Sequence, residues 1–197
     1  MTNIPRWIIV HHTGGTDLNP LCDTSNQTFD VVDEYHRKKW NFRSSLGYYL
    51  GYHYYIDKSG KLTQARLDDD EGAHTIGMNL DSIGICLAGN FDLTEPTLPQ
   101  IETLKTFIRR KMSQYDISIE NVVPHRHFAN KTCYGRNLKD NWVKTLLNVP
   151  ITQQCAPERD IIEQQVKKIN LLQSLINSII KFFNIIYKGF GVWGLGD

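Results

Sequence analysis

Cysteine and net charge are what this sequence has least of. Only four cysteines occur in 197 residues, Cys22, Cys86, Cys133 and Cys155, and they are widely spaced. That is too few to staple a domain of this size, so reduced thiols are expected. Acidic and basic residues nearly cancel, leaving a formal net charge of +1. Such a balance argues against a cationic-patch function, and no nucleic-acid partner is expected. Met1 to Trp7 run straight into an apolar strand, with neither a basic region ahead of a long hydrophobic core nor a cleavage site. No signal peptide is read there, so synthesis is expected to end in a cytoplasm. What the chain does have is 41% hydrophobic residues, enough for one well-buried domain with residues left over for an appendage.

The chemistry concentrates late in the chain, between Pro124 and Gly135. Here His125, His127 and Cys133 bring the preferred ligand types of zinc close together, and Lys131 places an ammonium two residues from the sulfur. A catalytic zinc needs three protein ligands and an open position, so part of the set must come from elsewhere. The apolar run Trp7 to Val10 reads as a strand buried on both faces and ends at His11-His12. Neighbours on a strand point to opposite faces, so only one of these two imidazoles can face a given site.

The remaining pattern alternates strands and helices, which makes the domain α/β. Thr28 is placed to cap a short helix carrying Phe29, Val32, Tyr35 and His36, followed by a polar stretch from Arg37 to Ser45. Leu46 to Leu62, dense in aromatics before Lys58-Ser59-Gly60, reads as a β-hairpin. The apolar part of Ser82 to Phe91 is another buried strand. Thr94-Glu95-Pro96 is read as opening a helix in which Ile101, Leu104, Ile108 and Met112 recur at helical spacing through Tyr115. Trp142, Val143, Leu146 and Leu147 make a closing helix after a further short strand.

These residues carry a resemblance over roughly Pro5 to Leu147. Ile9-Val10-His11-His12-Thr13, Gly51-Tyr52-His53, Gly72-Ala73-His74, Ser82-Ile83-Gly84-Ile85 and His125 through Lys131-Thr132-Cys133, in that order, resemble the zinc N-acetylmuramoyl-L-alanine amidases. That family includes phage T7-type lysozymes and animal peptidoglycan recognition proteins. The resemblance implies a central mixed β-sheet flanked by helices. It implies Zn2+ on His11, His125 and Cys133, catalysis by Tyr52 and Lys131, and His53 and His74 in a substrate cleft. It also implies a substrate: the amide between the lactyl group of N-acetylmuramic acid and L-alanine in peptidoglycan. Where some relatives use a glutamate this chain has Cys86, which favours the Tyr52 and Lys131 mode. His127 is the rival to His125, on the expectation that both lie on one strand face.

The chemistry agrees with that implication. Two neutral imidazoles and a thiolate leave a zinc ion net positive charge and a fourth position for water. Attack on an amide carbonyl then needs oxyanion donors, which Lys131 and the phenol of Tyr52 can supply. The leading expectation is an endolysin that waits in the cytoplasm and acts on the cell wall after release. A recognition module that binds muropeptides without cleaving them is a second reading, and a cysteine hydrolase using Cys133 with His125 a third.

Residues 1–149 form the expected amidase domain and 150–197 an amphipathic helical appendage. Ile162, Val166, Ile169, Leu172, Ile176, Ile179, Phe183 and Ile186 make an apolar stripe, widened by Ile161, Leu171, Leu175, Phe182 and Ile185. Gln173, Ser174, Asn177, Ser178, Lys181 and Asn184 interrupt it too often for a comfortable bilayer span. Self-association or membrane-surface contact through residues 158–188 is expected, against packing on the chain's own domain.

Overall fold

The computed structural model describes residues 2–148, 168–169, 171–177 and 179–180. The chain divides into two compact units, Met1–Asn148 and Val149–Asp197. In the first, β1 (Trp7–His12), α1 (Phe29–Trp40), β2 (Tyr54–Ile56), β3 (Leu62–Gln64), β4 (Ser82–Leu87), α2 (Leu98–Tyr115), β5 (Val122–Pro124) and α3 (Trp142–Asn148) follow in order, with single 3-10 turns at Ile119–Asn121 and His125–His127. The five strands form one sheet in the order β3-β2-β4-β1-β5. β1 is parallel to β4 and β5, β2 is parallel to β4, and β3 runs antiparallel to β2. The sheet is mixed and helix-flanked, as the α/β pattern requires.

Parity on the two central strands separates two environments. Ile8, Val10, Tyr54, Ile56, Ile83, Ile85 and Leu87 point to one face and pack with Leu104, Phe107 and Ile108 of α2 and Val143 and Leu147 of α3. The other face carries a smaller cluster: Val32 of α1 with Leu50, Tyr55, Ala65, Cys86 and Ala88. His11, Cys86 and Tyr55 are laterally paired across β1, β4 and β2, so they stand in one row on this second face.

Local chemistry sets the element ends. Thr28 caps α1, accepting from Val31 N–H at 3.4 Å, and the helix runs on through the polar residues to Trp40 before Asn41 ends it in the left-handed region at φ 50°. The first four residues of the polar stretch from Arg37 are therefore helical, because an αL-tolerant asparagine at the C-cap decides where the turn occurs. α2 begins at Leu98 instead of at Thr94-Glu95-Pro96. Its start is a reciprocal capping box between Thr97 and Gln100, with Pro99 in the first turn. The expected hairpin is real but shorter: Tyr54–Ile56 pairs with Leu62–Gln64 around Asp57, whose carboxylate accepts from Ser59 and Lys61 N–H. Leu46 to Gly51 are outside it.

In the second unit, residues 168–169, 171–177 and 179–180 are helical. Ile169, Leu171, Leu172, Leu175, Ile176, Ile179 and Ile180 are each more than half exposed. The outer parts of the expected stripe, including Ile162, Val166, Phe183 and Ile186, lie outside the described residues, as does Cys155. No helix among the described residues is long and apolar enough to cross a membrane.

Candidate metal centre and cleft

β1 delivers His11 at its C-terminal end, on the same face as Cys86 and Tyr55. Beside it, the chain leaves β5 through the 3-10 turn His125–His127, and a loop then returns Cys133 to the same point. Ligand atoms of His11, His125 and Cys133 all lie within 4.8 Å of one another. The His11 and His125 rings are 4.5 Å apart at their centroids, and Cys133 Sγ is 3.7 Å from His11 Nδ1.

Hydrogen bonding orients this set. His11 Nε2 is 3.1 Å from His74 Nδ1, which also meets Thr75 Oγ1 at 3.0 Å, while His74 Nε2 lies 3.5 Å from Ser82 Oγ. Ser82 Oγ donates to Met78 O, so a consistent proton assignment runs His11 Nε2–H to His74 Nδ1 and His74 Nε2–H to Ser82. This leaves His11 Nδ1 unprotonated and aimed at Cys133. Glycine makes the room: a Cβ on Gly84 would sit 2.6 Å from the His74 ring.

Two further groups hold the loop. Arg126 donates to the carbonyls of Thr132, Gly135 and Leu138 and pairs with Asp140, while its backbone N–H donates to Cys133 O at 2.8 Å. Asp92 accepts from Thr132 Oγ1 at 2.8 Å and Arg136 N–H at 2.7 Å. Neither role was legible in the sequence pattern, since the guanidinium acts mainly on backbone carbonyls of its own loop and the carboxylate on groups 40 and 44 residues away.

The electrostatics follow from burial. It drives His11 well below the usual imidazole value, helped by His74 and His125, and brings His125 down to about 4 with Lys131 adding to the effect. The imidazoles are neutral, as metal ligation requires. Burial also pushes the Cys133 thiol up to about 12, against opposing hydrogen bonding from the His12 backbone and the charge of Lys131. A thiol held that high needs a cation to become thiolate. Around a zinc ion, with Zn–N near 2.0 Å and Zn–S near 2.3 Å, tetrahedral ligand atoms sit roughly 3.3–3.6 Å apart. The 3.7 Å pair matches and the widest separation of 4.8 Å needs about 1 Å of closure, so the residues fit the ion.

His125 and Cys133 line a cleft of about 880 Å3 together with Tyr52, His74, Lys131 and Thr132, with Trp40 and Ile76 on its rim, while His11 is buried beside them. Tyr52 lies between two imidazoles, 4.9 Å from His11 and 5.4 Å from His36. Its hydroxyl pairs with the Cys86 thiol, and burial first, then the neighbouring thiols, hold it well above the usual phenol value. His36 braces it from below, accepting Gly51 N–H at 2.8 Å on Nδ1.

Two expectations need correction. His53 does not reach the cleft: it is fully buried, its Nδ1 accepts Gly84 N–H at 3.1 Å and its Nε2 faces Asp70 O at 3.0 Å. Both ring nitrogens are consumed by backbone, so it ties β2 and the acidic loop to β4. His127 is no rival to His125. The segment is a 3-10 turn rather than a strand, so residues two apart diverge, and His127 is exposed and packs on Trp7 and Phe128. His12 points away from His11 and accepts Phe91 N–H at 2.9 Å.

A helix-flanked mixed sheet with a His-His-Cys cluster beside a cleft defines an α/β protein with a candidate metal centre. The family follows from the chain's match, over residues 1–136, to the Amidase_2 model, described as N-acetylmuramoyl-L-alanine amidase, and the chain belongs to that family. It is 27% identical over 135 residues to an endolysin of Klebsiella phage KP32, covering 64% of this chain and 84% of the relative. A peptidoglycan recognition protein of Bombyx mori is 28% identical over 147 residues, 72% of this chain and 71% of that one. Among solved structures, an endolysin N-acetylmuramoyl-L-alanine amidase from Clostridium intestinale aligns with a TM-score of 0.61 at 28% identity, over 75% of this chain and 86% of its own.

Proposed function

We propose that residues 1–149 form a zinc-dependent amidase of endolysin type that hydrolyses the bond between N-acetylmuramic acid and L-alanine in peptidoglycan, acting on the wall after release. The observation that carries this reading is the convergence of His11 with His125 and Cys133, which line the cleft, in a chain of the amidase family. Held by these three residues, zinc would supply Lewis acidity, polarising the amide carbonyl and lowering the pKa of a water to about 7. The chain's own groups do the rest. His74 fixes the tautomer and orientation of His11. Tyr52, a neutral phenol at any working pH, redirects its O–H from Cys86 to the developing oxyanion, and the Lys131 ammonium stabilises the same charge.

Chelation should abolish cleavage of a defined muropeptide, and zinc should restore it. Cys133→Ser should lower both metal content and cleavage, the latter by about 1,000-fold. Full zinc occupancy with wild-type turnover in that variant would defeat the assignment. Chelator-resistant cleavage abolished by alkylation would point instead to a cysteine hydrolase, which the high thiol pKa argues against. Tight muropeptide binding without cleavage by zinc-loaded wild type would make the chain a recognition module.

We infer that the appendage, residues 150–197, self-associates. At about 100° per residue, the seven exposed apolar side chains from Ile169 to Ile180 span about half the helix circumference, broader than a two-stranded seam. Light scattering should report an oligomer for the full chain and a monomer for residues 1–149. A monomeric full chain would remove this inference, and liposome co-sedimentation would then test membrane contact.

A further inference from the structure

α1 ends at the cleft, where Trp40 forms part of the rim, and begins at a second cavity of about 590 Å3. The helix has 12 residues, so about 18 Å of axis separates its ends. The second cavity lies on the sheet face that carries the metal centre. Its floor is Tyr55, which stands in the same lateral row as His11, with Cys86 between them. Its walls are the N-terminal turn of α1 and the β2–β3 hairpin, and Tyr48 lines its edge.

Nothing in the catalytic scheme uses this cavity, and five of its lining side chains are chemically unspent. The Tyr48 hydroxyl, the Asp30 carboxylate, the Gln27 side-chain amide, the Lys61 ammonium and the Thr63 hydroxyl line it and make no hydrogen bond to the described residues. The Tyr48 ring is 39% exposed and held edge-to-face against Phe29 at 5.0 Å and 86°. That is a rigid aromatic platform. The ionised side chains lining the cavity are Asp30, Asp57, Lys58 and Lys61, two of each sign, so it selects neither an anion nor a cation. An aromatic face beside amide, hydroxyl and carboxylate groups fits an uncharged pyranose: apolar C–H atoms lie on the ring, and hydroxyl and N-acetyl groups meet the polar rim.

We propose that this cavity is a glycan subsite for a peptide-free, N-acetylated amino sugar of the polymer whose amide the cleft takes. This rests on the amidase reading of the cleft. Two sites joined along one helix and engaged by one polymer raise effective concentration without changing the chemistry at the metal.

The probe is a β-1,4-linked N-acetylglucosamine tetramer added to the full-length protein, read by amide NMR shifts and calorimetry. Shifts should concentrate at Ser25 to Asp30, Tyr48 and Lys58 to Thr63. Tyr48→Ala removes the platform and Thr63→Tyr fills the cavity from a half-buried strand position, where β-propensity favours an aromatic. Because the two act in opposite ways, a folding failure in one leaves the other informative. Both should lose tetramer binding, keep the cleavage rate on a single-sugar muramoyl-peptide within about twofold, and cleave intact sacculi about tenfold more slowly. Tetramer shifts elsewhere, or equal rates on both substrates in the variants, overturn the subsite. Failure of wild type to cleave either substrate overturns the amidase reading instead, and the tetramer titration still decides the subsite.

Discussion

The two faces of the sheet are made by the same strands and differ in almost everything else. On one, Ile8, Val10, Ile83, Ile85 and Leu87 meet α2 and α3 in a continuous apolar core. On the other, a smaller cluster around Val32, Tyr55 and Cys86 gives way to His11, His74 and His125. Burial of aliphatic side chains stabilises the first face without direction. The second buries neutral imidazoles whose desolvation must be offset by specific hydrogen bonds, and those bonds fix tautomers. Stability and chemistry are thus separated by a period of two along each strand.

That separation can be broken most forcefully from the apolar side. Ile85→Ala, at a fully buried position, should cost about 4 kcal/mol of unfolding free energy. Denaturant titration reads the loss, while kcat of the molecules that remain folded should stay near wild type. A comparable fall in kcat would show that the two faces are not independent.

The converse test removes transition-state contacts from the polar face. Tyr52→Phe and Lys131→Ala should each lower kcat about 100-fold, or about 2.7 kcal/mol, with zinc content and thermal midpoint little changed. Wild-type turnover in either variant would remove that residue from the mechanism.

The smallest effect per unit sharpens the contrast by titration. Burial brings His53 and His36 down to about 4 from the ordinary 6.5, so below 6.5 the unfolded chain takes up protons that the folded chain refuses. Stability contributed by these groups is present above 6.5 and lost as pH falls toward 4, at about 1.4 kcal/mol per pH unit for each proton. Replacing His53 by Gln should flatten this slope by one proton; an unchanged slope would mean that its burial does not set the acid limit.

What the residues revealed unaided was whatever depends on short-range pattern. The β-branched run before His11, the Thr28 cap, the helical spacing of Leu104 and Ile108, and the ordered motifs through Cys133 each carry their information within a few positions. Tertiary structure decided the rest, because the remaining questions concerned groups far apart in sequence. His53 and His74 look alike as a motif, yet the backbone of Gly84 and Asp70 consumes one ring while the other turns over Gly84 toward His11. His125 and His127 have equal claims by composition, and the 3-10 turn separates them. The roles of Arg126, Asp92 and His36 arise largely from bonds to backbone carbonyl and amide groups, which no side-chain pattern announces. A hydrophobic period is written along one strand; a hydrogen-bond partner 40 or 60 residues away is written only in the packed chain.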